Sequence, residues 1–120
     1  MMKAARIAAL LLACAVAAQA YAHAFLDHAQ PRVGASMRDA PFEVKLWFTQ
    51  RLEPAFSSVQ VLDRSNKRID AGDARVDAGD RTLLVVSVGQ LSPGSYRVKW
   101  RVVSVDTHVT EGDFNFDVAP

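Results

Sequence analysis

Three residues of this 120-residue chain have the donor types and the spacing to hold a metal ion: His23, Asp106 and His108. Asp106 and His108 follow a stretch that alternates, with Tyr96, Val98, Trp100 and Val102 on one side and Arg97, Lys99 and Arg101 on the other. That is the period of two of a half-buried strand. If the chain stays extended, the same count sets Asp106 and His108 on one face, about 6–7 Å apart at the backbone. A carboxylate and an imidazole so placed make half a metal site, and the other half must come from elsewhere in the chain.

His23 is the candidate for that half. Residues 1–22 read as a secretory leader: Lys3 and Arg6 give a basic start, residues 7–18 are an apolar run too short to span a bilayer, and Ala20-Tyr21-Ala22 fits a small-x-small cleavage site. Cleavage after Ala22 makes His23 the first residue of the mature protein. Its free α-amine and its Nδ1 can then close a chelate ring on one ion. His108 adds a third nitrogen and Asp106 an anionic oxygen. Three nitrogens and one oxygen suit Cu(II), which favours nitrogen donors in a tetragonal plane, far better than calcium or magnesium. The plainer alternative is that Asp-Thr-His at a strand end is a hydrogen-bonded turn and the histidine after the leader is incidental. A second alternative is that Leu-Leu-Ala-Cys, ending at Cys14, serves as a lipoprotein signal. That would leave His23 internal and abolish the chelate.

The elements that must position these residues are short strands. Residues 24–30 read as an edge strand ended by Pro31, and residues 42–48 as a strand with Val44, Leu46 and Phe48 inward and Trp47 outward. Residues 58–63 form the next strand, and residues 82–88, apolar on both faces, a central one. Strands over 94–105 and 112–118 complete the set, the last with Phe114, Phe116 and Val118 inward. Residues 64–80 read as a polar connection carrying Asp-Ala-Gly-Asp twice. It lacks the alternating carboxylates and closing Glu of a calcium loop, so these are expected to be solvated turns. About seven strands with no sustained helical period predict an all-β fold, a Greek-key antiparallel β-sandwich of immunoglobulin-like shape.

Composition narrows the function classes. Loss of Lys3 and Arg6 with the leader leaves 12 basic against 13 acidic residues, a net charge of −1 without a basic stripe, which argues against nucleic acid. Residues 23–120 suffice for one domain, hold no membrane span and contain no cysteine, so an exported domain here relies on its apolar core. His28, beside Asp27, reads as a surface histidine, and Trp47 and Trp100 as packing residues.

Three stretches carry a family resemblance: HAFLDHAQPRVGA at 23–35, FEVKLWFTQRLEP at 42–54 and SPGSYRVKWRVVSVDTHVTEGDFNFDV at 92–118. They resemble the periplasmic copper-resistance family CopC over essentially all of the mature chain, most specifically in WRVVSxDTHxxxG together with a histidine exposed by leader cleavage. The resemblance implies a Greek-key β-sandwich that binds Cu(II) through His23, Asp106 and His108. It also implies a periplasmic location and an inner-membrane CopD-like copper transporter as partner. Two positions depart from the family's pattern. Gln50 stands where some members carry a glutamate near the copper, and Met37 is the only methionine after the leader, so no dedicated Cu(I) site is expected. The expected function is that of a non-enzymatic protein holding one Cu(II) per mature chain. The rivals are a copper monooxygenase, which needs open the position Asp106 would fill, and a metal-free adhesion or assembly module, which the fold alone would permit.

Overall fold

The computed structural model describes residues 23–120. The expected leader and Cys14 lie outside the described residues. Eight strands follow one another: β1 (Leu26–Gln30), β2 (Ser36–Met37), β3 (Glu43–Phe48), β4 (Ser58–Leu62), β5 (Arg75–Val76), β6 (Leu83–Ser87), β7 (Gly94–Val103) and β8 (Val109–Val118). They form two four-stranded sheets, ordered β1-β3-β6-β5 and β2-β8-β7-β4. The fold is thus the expected β-sandwich, with two corrections. The strands number eight among the described residues, because β2 and β5 are two-residue strands too short to carry a period. And β2 pairs with β8 in parallel, whereas the other pairs are antiparallel.

Alternation built the layers as expected. Val44, Leu46 and Phe48 of β3 and Leu84 and Val86 of β6 face Val59 and Val61 of β4, Val98 and Val102 of β7, and Phe114, Phe116 and Val118 of β8, all buried. The central strand β6 also buries Val85 on its other face. Tyr96 anchors the start of β7: its ring stacks on Phe116 at 5.5 Å, and its hydroxyl donates to the Ser92 carbonyl at 2.5 Å. This is the tyrosine-corner device of Greek-key sandwiches, which closes the turn leading into a strand.

The polar connection differs from expectation. The Asp77 turn is local, with Oδ2 accepting the N–H groups of Gly79 and Asp80 at 3.0 and 2.9 Å. Asp70, however, is not solvated; its side chain is wholly buried. Its carboxylate accepts the Val61 N–H at 2.9 Å, the Gly72 N–H at 3.0 Å and the Arg68 guanidinium at 3.0 Å, tying the connection to the edge of β4. Burial alone raises a carboxyl's pKa, but here the Arg68 hydrogen bonds and the two backbone N–H groups outweigh it and hold Asp70 below the usual carboxylate range.

Candidate metal centre

The β7–β8 hairpin carries two of the three candidate ligands. Its last strand pair is Val103 with Val109. Beyond it the chain does not stay extended: the Thr107 N–H donates to the Ser104 carbonyl at 2.8 Å and the Ser104 N–H to the His108 carbonyl at 3.0 Å. Thr107 takes φ 69°. This is a tight turn followed by one left-handed residue, the usual three-residue hairpin loop, but with a β-branched residue where glycine is favoured. Holding threonine there costs about 1–3 kcal/mol. The period-of-two count through Asp106 and His108 therefore fails. Asp106 lies in the turn and is exposed, while His108 is already on the returning arm.

Ser104 supports that arm from below. It is fully buried, bridges to Leu52, and its Oγ accepts the His108 N–H at 3.3 Å. Thr107 in turn donates its hydroxyl to the Asp106 carbonyl at 2.5 Å.

His23 approaches from the other end of the chain. Its ring centre lies 4.6 Å from that of His108, the planes inclined by 42°, and 6.1 Å from Phe25. Among the described residues no group of three His, Cys, Asp or Glu side chains stands together as a metal site. The structure thus brings the two histidines into a pair, while Asp106, two residues before His108 in the turn, does not join them in a three-side-chain cluster among the described residues. The pair's spacing can be tested against metal geometry. With metal–nitrogen bonds of about 2.0–2.1 Å, the observed separation is short enough for both rings to reach one ion.

The other singled-out residues fall as follows. His28 lies flat on Trp47, centres 4.4 Å apart, with Nδ1 2.6 Å from Asp27 Oδ2. It is more than half exposed, as a surface histidine should be. Gln50 is half-buried directly after Thr49. Met37 pairs with Val118, at the opposite end of β8 from Val109 and hence about 30 Å of strand away from the hairpin turn. Trp100 sets its ring edge against Phe48 at 5.1 Å and lies over Gly112, where an added Cβ would come within 2.4 Å of the indole. The glycine of the WRVVSxDTHxxxG pattern is therefore space for its tryptophan. Sequence reasoning missed Ser104, Thr49 and Thr110, whose hydroxyls hold the backbone around the two histidines. Serine and threonine are ordinary in strands, so only contact reveals them.

Comparison with known proteins follows the same line. The family described as the CopC domain matches residues 26–119. Protein YobA of Escherichia coli (strain K12) is 35% identical over 111 residues, covering 92% of this chain and 90% of the relative. The crystal structure of CopC from Methylosinus trichosporium OB3b superposes with a TM-score of 0.77 at 38% identity, over 82% of this chain and 95% of that one. PcoC, a methionine-rich copper resistance protein from Escherichia coli, gives a TM-score of 0.71 at 30% identity, over 81% and 99%.

Proposed function

The chain belongs to the CopC domain family of copper-resistance and copper-transport proteins, and from that premise we propose that it holds one Cu(II) per mature chain at His23, Asp106 and His108. Leader cleavage after Ala22 frees the His23 amine, which chelates together with Nδ1 of the same residue. His108 supplies the third nitrogen. Asp106, two residues before His108, supplies the oxygen. The set is neutral in its nitrogens and anionic in its oxygen, matched to a borderline divalent ion at the top of the affinity order. The observation that carries the reading is the 4.6 Å pairing of two imidazoles 85 positions apart in sequence, with nothing but the fold to bring them together.

The protein acts as a carrier. One amine, two imidazoles and one carboxylate would supply the four donors that Cu(II) favours, and Asp106 would occupy the position that oxygen activation needs open. Location is periplasmic, and delivery is to an inner-membrane CopD-like transporter. Met37 lies too far from the pair to add a thioether, so the proposal includes no dedicated Cu(I) site. Acid weakens the complex, because protons compete for the amine and imidazole lone pairs.

The test is the mass of the exported protein with and without copper, joined to calorimetric titration. A first residue of His23, one added copper and saturable heat are expected. One extra residue before His23 should weaken binding severely; unchanged affinity would refute the chelate.

A further inference from the structure

Residues 23–25 belong to no strand, yet their backbone is tied at every residue. Thr49, directly after β3, accepts the Phe25 N–H on its Oγ1 at 3.0 Å and donates the same hydroxyl to the His23 carbonyl at 3.4 Å. The Thr49 N–H donates to the Phe25 carbonyl at 2.8 Å. From the other sheet, Thr110 of β8 donates its hydroxyl to the Ala24 carbonyl at 2.7 Å. Between them the Ala24 methyl is wholly buried.

A chain end without such ties frays. A frayed His-Ala-Phe end would point its imidazole in many directions, and apparent affinity falls by the fraction of molecules in the competent arrangement. We propose that Thr49 and Thr110 are positioning residues for copper, a clamp from both sheets that holds His23 against His108 before the ion arrives. The proposal rests on the His23 reading above. Its logic is that the two hydroxyls hold successive carbonyls, His23 and Ala24, and so fix the peptide units that follow the ligand. Thr49 serves as donor and acceptor at once. Serine can replace it in that role, whereas valine has its shape but neither capacity.

The test compares four proteins at one pH, each loaded with Cu(II): the protein beginning at His23, its Thr49→Val/Thr110→Val variant, its Thr49→Ser variant, and the parent with one extra alanine before His23. Chelator competition gives Kd, and electron paramagnetic resonance of the equimolar complex reports the donor set. The double variant is expected to keep its circular dichroism, to bind about tenfold more weakly, and to show a mixture of copper spectra in place of one. Thr49→Ser should match the parent in both. A double variant with parental Kd and a single parental spectrum overturns the clamp. Parental affinity in the alanine-extended protein overturns the His23 reading instead, whatever the threonines do. If the double variant does not fold, single Thr49→Val against Thr49→Ser decides: equal Kd and equal spectra overturn the clamp, and a weaker, mixed-spectrum valine variant supports it.

Discussion

Replacing Asp70 with asparagine removes one charge from a buried site while nearly preserving shape, and its cost can be worked from the contacts. The carboxylate receives the Val61 and Gly72 N–H groups and the Arg68 guanidinium, with its side chain fully buried. An amide has one accepting oxygen, so one of these donors loses its partner and meets an NH₂ group. A buried donor left unpaired costs about 1–3 kcal/mol. Arg68 is half exposed, and the lost ion pair adds about 0.5–1 kcal/mol after solvent screening. The sum is about 1.5–4 kcal/mol near neutral pH, a fall in Tm of about 6–30 °C for a domain of this size. The pH dependence has a definite sign. The folded-state pKa of Asp70 is lowered, so its stabilisation is fully present above the unfolded carboxylate range and drains away as pH falls through the folded value. Urea denaturation followed by circular dichroism, at pH 7 and again near pH 3, should show a wide gap between parent and Asp70→Asn that narrows in acid. Arg68→Met should cost less than about 1 kcal/mol, since its partner keeps two backbone donors. A gap under about 0.5 kcal/mol at pH 7, or one undiminished at pH 3, would refute the reasoning.

Thr107→Gly should stabilise the copper-free protein by about 1 kcal/mol in the same urea assay, because glycine adopts the left-handed conformation without the β-branched penalty. Gly112→Ala should cost about 1–3 kcal/mol and alter Trp100 fluorescence, since the new methyl and the indole cannot share the space. His108→Ala should abolish tight Cu(II) binding, whereas His28→Ala, on the outer face against Trp47, should leave the affinity within about twofold by competition titration. Saturating copper at about a hundred times Kd should raise the stability of the parent by about 2.7 kcal/mol, measured as a shift in the urea midpoint, and should do so far less for the alanine-extended protein.

Much of the fold was legible in the chain because strand alternation is a local property. Val44, Leu46 and Phe48, the two-faced burial of β6, and the inward set Phe114, Phe116 and Val118 all follow from side-chain period and hydrophobicity. The candidate donor types were legible too, because donor chemistry belongs to the side chain. Three features were not. The hairpin turn at Asp106 carries no glycine or asparagine at its left-handed position, so nothing announced that the strand ended at Val103. Asp70 looks like any turn aspartate until its partners Val61 and Gly72 are seen around it. The short strands β2 and β5 exist only through pairing with β8 and β6.

The amino-acid sequence by itself determined the two-layered sandwich and the inventory of nitrogen and oxygen donors, since both depend on residue type and near-neighbour spacing. Only the tertiary structure decided that His23 meets His108, that Asp106 rides a turn rather than a strand, and that threonines from opposite sheets hold the start of the domain. Those arrangements depend on contacts between residues far apart along the chain, and such contacts are selected by packing, which no local period encodes.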